Sequence, residues 1–329
     1  MANKQEKLYQ IALSIIKGVG RAHFQKLMAH FGSAEAIFAS SLTKLLKIPG
    51  LNSSLAKDIL SKRSVAHAEK LLLYHEQVGV RIVTLWENDY PERLRHIPSA
   101  PLLLYIRGNV DINSKDTKII SIVGTRRATD YGKKVIETLL SELSSYPLLI
   151  VSGLAYGVDI HAHKIALELG IPTLAVVAGC VRNVYPSAHQ HIAQKMVANE
   201  GGVVSEHPIQ TKPELHQFAI RNRIIAGISD TTIVVEAGKK SGALITARWA
   251  NEYSREVFAV SGSIYDTYSA GCHHLIKTHQ ANLLTSAADI VDVMNWHQST
   301  IEKSKPLSVS QRFTDLTKIE QSAVSAIGM

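Results

Sequence analysis

Four short apolar runs along the chain each end at a turn of small residues and pass into a stretch with helical spacing. They have the length of β-strands, and they cover residues 119–123, 148–151, 173–178 and 231–235. Strands that alternate with helices predict a parallel sheet, because parallel neighbours need a crossover connection. The carboxyl ends of such strands gather at one edge, where open α/β sheets bind their ligands. The pattern therefore predicts an α/β fold with its functional loops at a single edge.

The turn after the first of these strands combines glycine with cationic side chains, which predicts an anionic ligand. Gly124 ends the strand, and without a Cβ it would let a phosphate approach the backbone. Arg126 and Arg127 follow, and a guanidinium can hold a phosphate with two donors. The next helix is predicted to begin near Asp130, so that its N-terminal amides also face the anion. The alternative for Arg126 is an ion pair on the protein surface.

The turn after the second strand, residues 152–159, is predicted to be a narrow loop that opens a helix. Its small residues are Gly153, Ala155 and Gly157. Asp159 is expected to cap or organise this loop, since it stands at a helix start, and not to act as a catalytic base. Lys164 lies further along the same helix and is a candidate phosphate contact. The alternative for Lys164 is a lysine that is simply solvated.

A later helical stretch carries an aromatic residue and two arginines. Phe218 could stack on a nucleobase, as aromatic residues do in single-strand grooves, or it could be a core residue. Arg221 and Arg223 flank an asparagine and are expected to point in different directions. One of them would bind the ligand, and the other would pair with Glu206 or Glu236 inside the protein.

The turn after the fourth strand again places cations beside glycine at a helix start, and these cations are Lys239 and Lys240. The same turn contains Glu236, the one carboxylate that a hydrolase could recruit. The motifs of the common nucleotide-binding and hydrolytic classes are missing. There is no phosphate-binding Gly-x-x-x-x-Gly-Lys-Ser/Thr, no clear Gly-x-Gly-x-x-Gly after a strand and no Gly-x-Ser-x-Gly. An ordinary P-loop ATPase, a dinucleotide enzyme and an α/β-hydrolase are therefore disfavoured.

Residues 1–75 read as helical and contain an internal repeat. Two short glycine turns, at residues 16–20 and 48–52, are each followed by helical spacing. The region resembles a tandem helix-hairpin-helix module, in which the turn exposes backbone N–H groups to a nucleic-acid phosphate. The second turn has Asn52 where the motif has glycine, and asparagine tolerates the left-handed conformation. The alternative is a small helical bundle that only packs or dimerises.

Composition changes this picture mainly through the distribution of charge. The formal net charge of the 329 residues is +8. Residues 1–75 hold eleven cations against four anions, a net +7, so nearly all of the excess lies in the helical region. A basic module suggests a polyanionic partner, although a solubilising face would look the same. The length suits two or three domains, which we place at residues 1–75, 76–298 and 299–329.

The remaining composition excludes several classes of protein. The two cysteines, Cys180 and Cys272, are too few for a disulfide framework or a cysteine-rich zinc site, and we expect them to be buried. Paired histidines stand two residues apart or adjacent, and would not share one face of a helix, so no metal and no cofactor are expected. No apolar run approaches the length of a membrane span, and the N-terminus lacks a signal core. We therefore expect a cytoplasmic location and no contact with a membrane.

Eight motifs in a fixed order carry a family resemblance. They are YP at 90–91, PLLLYIRG at 101–108, IVGTRRATDYG at 122–132, SGLAYGVD at 152–159, SE at 205–206, RNRIIAG at 221–227, SGALITAR at 241–248 and GCHHLI at 271–276. The sequence resembles the bacterial DNA-processing DprA family, also called Smf, over about residues 8–290. The resemblance implies an extended Rossmann-like, doubly wound, mostly parallel sheet. A small all-α domain of the helix-hairpin-helix or SAM-like type would precede this sheet.

The resemblance also implies a function. In this family the protein binds single-stranded DNA, protects incoming strands during natural transformation and helps to load the RecA recombinase. It implies a homodimer formed through the Rossmann domain and no enzymatic activity. The family's DNA pocket maps onto the loop of Arg126 and onto the loop from Gly153 to Gly157. Lys164 and residues 221–223 extend the predicted site on charge and position.

Two departures from the family pattern and one alternative function accompany this interpretation. The chain has Ser261-Gly262 where the family usually has Pro-Gly. Residues 316–324 resemble the start of a winged-helix domain, so the tail 299–329 would be a shortened or vestigial form of it. The alternative is an enzyme, because the same Rossmann variant resembles nucleotide phosphoribohydrolases, in which a glutamate such as Glu236 stands near a glycine-rich turn.

Overall fold

The computed structural model describes residues 2–209, 211 and 213–296. Residues 1–290 form one compact unit, and a second unit begins at Val291. The described part of this second unit is residues 291–296, which include the end of the last helix. The predicted winged-helix start at residues 316–324 lies outside the described residues.

Six helices make up the N-terminal region, as its helical spacing predicted. They are α1 (Ala2–Ser14), α2 (Arg21–Phe31), α3 (Ala34–Phe38), α4 (Leu42–Leu45), α5 (Ser53–Leu60) and α6 (Arg63–Gln77). The helix α6 runs across the predicted domain boundary at residue 75. Residues on both sides of that boundary pack together: Phe24 stacks on Trp86 at 4.0 Å, and Thr84 Oγ1 donates to Gln10 Oε1 at 2.7 Å. The division into separate domains stays a prediction.

The two glycine turns of the helical region lie against each other. Gly18 and Gly50 have positive φ angles of 98° and 90°. The ring nitrogens of His23 lie 3.0 Å from Gly18 O and 3.1 Å from Gly50 O, so this side chain joins the two turns. Asn52 does not use the left-handed conformation that asparagine tolerates: its φ is −88°, and its side chain caps α5 by accepting from Leu55 N at 2.9 Å. Asparagine stands here because a helix start needs a side-chain acceptor.

The rest of the unit is a nine-stranded mixed sheet flanked by helices. Its strands are β1 (Arg81–Thr84), β2 (Leu103–Gly108), β3 (Lys118–Val123), β4 (Leu148–Ser152), β5 (Thr173–Val176), β6 (Gly202–Ser205), β7 (Thr231–Val234), β8 (Glu256–Val260) and β9 (Asn282–Leu284). The connecting helices are α7 (Glu92–Arg95), α8 (Asp130–Leu143), α9 (Val158–Glu168), α10 (Gln190–Ala198), α11 (Leu215–Ile228), α12 (Ala243–Glu252), α13 (Ala270–Lys277) and α14 (Ala287–Val293), and a short 3₁₀ helix covers Ser187–His189. The predicted α/β class is confirmed.

The order of the strands creates a crevice in the middle of the sheet. Across the sheet the order is β1-β2-β6-β5-β4-β3-β7-β8-β9. Among the strands of the described residues, only the β1–β2 and β2–β6 pairs are antiparallel. From β3 the chain winds outward through β4, β5 and β6, and it then returns to β7 and winds outward in the other direction. The strand order therefore reverses between β3 and β7, and such a switch point is where open α/β sheets bind ligands.

The strands at the centre of the sheet are buried on both faces. Every residue of β4, β5 and β7 is buried, and these strands are apolar apart from Ser152, Thr173, Thr231 and Thr232. The polar exceptions are partnered inside the sheet: Ser121 Oγ donates to Thr232 Oγ1 at 2.7 Å, and Ser152 Oγ donates to Ile122 O at 2.6 Å. These bonds tie β3 to its two neighbours, β7 and β4, next to the switch point.

Candidate nucleic-acid interface

A cavity of about 560 Å³ opens at the carboxyl ends of β3 and β7, at the switch point. Its wall is formed by the loops after these two strands and by the facing side of α11. The predicted site residues that line it are Gly124, Arg126, Ala155, Phe218, Arg221 and Lys240. Parallel strands thus gather these residues at one edge, although they are separated by up to 116 positions in the chain, from Gly124 to Lys240.

The loop after β3 is held by backbone contacts that explain its glycine. A Cβ on Gly124 would lie 2.5 Å from Val158 Cγ2 and 3.0 Å from Glu236 O. Thr125 N donates to Glu236 O at 2.7 Å, which joins this loop to the loop after β7. Gly124 is therefore required by packing of α9 against the strand end, a reason that the sequence pattern did not indicate.

Arg126 projects from this rigid loop into the cavity wall and is exposed. Within the part of the chain that is described, no carboxylate lies within ion-pair distance of its guanidinium. Its neighbour Arg127 is also exposed but does not line the cavity. A cation without an acidic partner beside a concave surface is suited to an external anion.

The helix α8 begins at Asp130, as the sequence predicted, but the anion at its N-terminus is a side chain of the protein itself. Thr129 caps the helix by accepting from Gly132 N at 3.2 Å. The carboxylate of Glu236, which is 2% exposed, accepts from Thr129 N at 2.9 Å and from Thr129 Oγ1 at 2.5 Å. Gly132 leaves room for this carboxylate, because a Cβ there would lie 2.5 Å from Glu236 Oε2. The prediction that this helix start faces a bound anion is therefore corrected to a contact with Glu236.

The loop after β4 is organised from below by Asp159. Its carboxylate accepts from Gly153 N at 3.1 Å and from Ala155 N at 3.3 Å, which confirms the predicted organising role. At the end of this loop, Gly157 has φ 77°, and a Cβ there would lie 2.2 Å from Thr125 O. The loop therefore crosses directly over the backbone of the Arg126 loop. Only glycine permits this approach, since both the angle and the space exclude a side chain.

Arg221 lies beneath the same loop and is 6% exposed. Its Nη1 donates to Gly153 O at 2.7 Å and also to Val176 O. Burial lowers the pKa of the guanidinium to about 10, and the neighbouring Asp159 opposes this shift, so the group remains a cation at neutral pH. Through Nη1, Arg221 therefore supports the cavity floor, while its buried Nε has no hydrogen-bond partner among the described residues.

Arg223 points away from the cavity, as expected for one of the two arginines. It forms an ion pair with Glu206, and its Nη1 donates to Ser99 O at 2.6 Å. It does not line the cavity, so the structure gives it a structural partner in place of the predicted ligand contact. The prediction that one arginine would pair with Glu206 is confirmed.

The other predicted contacts divide by their distance from the cavity. Phe218 is half-buried and lines the wall, so it is not a core residue. Lys240 is exposed and lines the opposite side, whereas its neighbour Lys239 is exposed and lies outside the lining. Lys164 is exposed on α9 and also lies outside the lining. The structure brings Phe218 and Lys240 together with Arg126 and leaves the other two lysines on the surrounding surface.

The described residues contain no group of three or more histidine, cysteine or acidic side chains placed to hold a metal ion. Among the same residues, no helix is both long enough and apolar enough to cross a membrane. Both cysteines are free and buried, as predicted. Burial raises the pKa of the Cys272 thiol to about 12, which keeps it protonated and unreactive. The groups that the cavity presents are cations, glycine backbone and an aromatic ring, and groups of these kinds bind anions and flat apolar rings.

Comparison with known proteins extends this description beyond the site. The family model described as DNA recombination-mediator protein A matches residues 81–295. The Smf protein of Synechocystis sp. is 36% identical over 278 residues, which cover 84% of this chain and 69% of that protein. The DNA processing protein DprA of Bacillus subtilis is 41% identical over 222 residues, which cover 68% of this chain and 73% of that protein. The chain belongs to the DNA recombination-mediator protein A family.

Solved structures of family members share the fold. DNA processing protein A of Streptococcus pneumoniae superposes with a TM-score of 0.73 at 33% identity, covering 87% of this chain and 96% of that one. DNA processing protein A of Helicobacter pylori, which was studied for its single-stranded DNA binding mode, gives a TM-score of 0.59 at 28% identity. That match covers 66% of this chain and 96% of the other. The resemblance inferred from the motifs is thereby confirmed.

Three further residues lie at the cavity and were not predicted from the sequence. Thr125 and Tyr268 line it directly. Tyr185 stands beside it, since its ring centroid is 5.7 Å from that of Phe218. A threonine next to a glycine and tyrosines in irregular loops carry no periodic signal. The signal that could have identified Thr125 was its position directly after a predicted strand.

Proposed function

We propose that this chain binds single-stranded DNA at the switch-point cavity and acts as a mediator of DNA recombination. Phosphates would lie at Arg126 and Lys240, and a base would lie against Phe218. The observation that carries the proposal is the Arg126 guanidinium: it lines the cavity, and it has no acidic partner among the described residues. Membership of a family named for recombination mediation, and a relative studied for single-strand binding, support the same function.

The geometry favours an unpaired strand over a duplex. A flexible strand can turn its phosphates towards cations and its bases towards aromatic rings at the same time, whereas a duplex keeps its bases stacked inside. Two lining side chains of the kind that read base edges in pairs of hydrogen bonds, Arg221 and Asn222, are buried and donate to backbone carbonyls of the protein. We therefore expect binding that tolerates any sequence and that weakens steeply with salt, because phosphate contacts release counterions.

The finer parts of the function are proposals that rest on the family resemblance. They are protection of incoming or recombining strands, loading of the RecA recombinase, a homodimer formed through the Rossmann domain and a cytoplasmic location. A dimer would offer two cavities to one strand, which would raise the apparent affinity through avidity.

The position of Glu236 argues against an enzymatic role. The phosphoribohydrolase alternative needs a carboxylate that is free to act on a ligand. Glu236 is buried and accepts two hydrogen bonds from Thr129, so its carboxylate stabilises the start of α8. We therefore favour a binding protein.

The test is the affinity of a labelled oligonucleotide, measured by fluorescence anisotropy across a salt series. We expect the unmodified protein to prefer a single strand over the matched duplex. Arg126→Ala should weaken single-strand binding roughly tenfold or more, as expected when a charged hydrogen bond is lost. It should also reduce the slope of log affinity against log salt by about 0.7, the share of one phosphate contact on a single strand.

The control is Arg248→Ala, which removes the same charge from an exposed position outside the cavity lining. Because Arg248 is 3.4 Å from Glu252 on the surface of α12, its loss should leave both affinity and slope nearly unchanged. Equal effects of the two substitutions would mean that Arg126 contributes only to the overall positive potential of the protein and not to a direct phosphate contact. An unchanged slope for Arg126→Ala would remove it from the set of phosphate contacts.

A further inference from the structure

Tyr185 extends the aromatic wall of the cavity beyond the residues that line it. It lies in the loop after β5 and is 59% exposed, a high value for so large an apolar ring. Its ring meets Phe218 edge-on, with the planes inclined by 61°. Phe218 in turn lines the cavity, so the two rings form one continuous surface that begins at the cavity and ends in solvent.

The loop that carries Tyr185 is held in one conformation by side-chain bonds. Gln190 bonds it twice: its Oε1 accepts from Val184 N at 3.0 Å, and its Nε2 donates to Arg182 O at 2.9 Å. At the start of the loop, Asn183 N donates to Cys180 Sγ at 3.1 Å. The backbone that leads into Tyr185 is therefore held before any ligand arrives, which lowers the entropic cost of ordering this loop on binding.

The position of this loop defines where the aromatic surface lies along the sheet edge. In the sheet, β5 is separated from β3 by β4, so the two strand ends lie roughly 10 Å apart, at about 4.8 Å for each strand. Arg126 lies three residues after the end of β3, and Tyr185 lies nine residues after the end of β5, where its ring contact with Phe218 places it beside the cavity. A chain bound to Arg126 that continues along the edge on this side would pass over Phe218 and reach Tyr185.

We propose that Tyr185 and Phe218 together form a stacking platform for an unpaired nucleobase of the strand whose phosphates bind at Arg126. The proposal rests on the proposed function, and it adds the direction in which the strand leaves the cavity. It also gives Tyr185 a role in the preference for a single strand over a duplex. A base inside a duplex has no free face to offer, so this contact would be made only by a single strand.

The test compares two probes of about 16 nucleotides, a length at the upper end of the site sizes of single-strand-binding OB-fold domains. One is oligothymidine, and the other is an abasic strand with the same phosphates and no bases. Affinities are measured by fluorescence anisotropy for the unmodified protein, Tyr185→Ala and Tyr185→Phe. The matched control is Tyr74→Ala, because Tyr74 is also exposed and also meets a neighbouring ring edge-on, but lies on α6.

We expect Tyr185→Ala to weaken oligothymidine binding by about 5- to 150-fold, the measured range for removal of one stacking ring. Binding of the abasic strand and the salt slope should stay unchanged, since no phosphate contact is lost. Tyr185→Phe should keep most of the affinity because it keeps the ring. Tyr74→Ala should behave as the unmodified protein.

Other outcomes would overturn the platform in distinguishable ways. Unchanged oligothymidine binding by Tyr185→Ala would refute the platform and leave the proposed function in place. Equal weakening with both probes would show that the substitution disturbs the loop, and would also count against stacking. If the unmodified protein bound neither probe, the proposed function and the platform would fall together.

Discussion

Replacing Gly157 with alanine would drive a methyl group into the backbone of the Arg126 loop. The new Cβ would lie 2.2 Å from Thr125 O and 2.5 Å from Arg126 C, and backbone atoms cannot turn aside as a side-chain tip can. The φ angle of 77° adds a second penalty, because residues with a Cβ avoid that region. The substitution therefore combines backbone strain with a steric clash at the most important loop of the site.

The expected magnitude follows from a matched glycine at the other end of the same helix. Gly170 ends α9 with φ 68°, and a Cβ there would meet nothing within 4 Å. Gly170→Ala should therefore cost only the conformational penalty, about 1–2 kcal/mol. Gly157→Ala should add the cost of overpacking, about 1–3 kcal/mol, for a total of roughly 2–5 kcal/mol.

Urea unfolding followed by circular dichroism measures both free energies of unfolding, and single-strand affinity measures the effect on the site. Gly157→Ala should be the less stable variant and should bind DNA more weakly, because Arg126 moves with its backbone. Gly170→Ala should bind as the unmodified protein does. If the two variants lost equal stability and kept equal affinity, the close approach of the two loops would be refuted.

Two further predictions concern buried titratable groups. Burial lowers the pKa of His163 from 6.5 to about 3, so the unfolded state takes up the proton first and stability falls as pH drops below about 6.5. Between about pH 7.5 and pH 5.5, His163 should lower the free energy of unfolding by about 1.4 kcal/mol. Over the same range, the free energy of unfolding of His163→Gln should fall by about that much less than that of the unmodified protein. Glu236→Gln should lower the free energy of unfolding by about 1–3 kcal/mol, because an amide N–H₂ would face one of the two Thr129 donors. Neither the unmodified protein nor this variant should release free base from nucleoside monophosphates, and release by the unmodified protein alone would restore the enzymatic alternative.

The sheet edge was predictable because several weak signals share one cause. Buried parallel strands have unbroken apolar runs, and each ends where glycine allows a tight turn, so the ends of β3, β4, β5 and β7 could be located within two residues. The pairing of β2 with β6 was not predictable. It joins Tyr105 to Ser205 across a long sequence separation, and no local pattern specifies such a register.

The roles of individual side chains were harder to predict than their location. Arg221 was expected to be a contact for the ligand, and it lines the cavity, but its Nη1 already donates to Gly153 O and Val176 O. Those acceptors come from strand ends that only the folded sheet brings beneath it. Glu236 looked available for catalysis for the same reason, since its donors on Thr129 lie 107 positions away. The sequence shows where charged groups lie along the chain, but it does not show which of them the fold has already paired.

The location of the bound strand is tested most directly by photo-cross-linking. An oligothymidine with iodouracil at single positions would be irradiated with the full chain, and the linked residues would be identified by mass spectrometry. We expect cross-links at Phe218 and Tyr185, at the edge of the sheet beside Arg126. Cross-links confined to the glycine turns of residues 1–75, with none at the sheet edge, would contradict it.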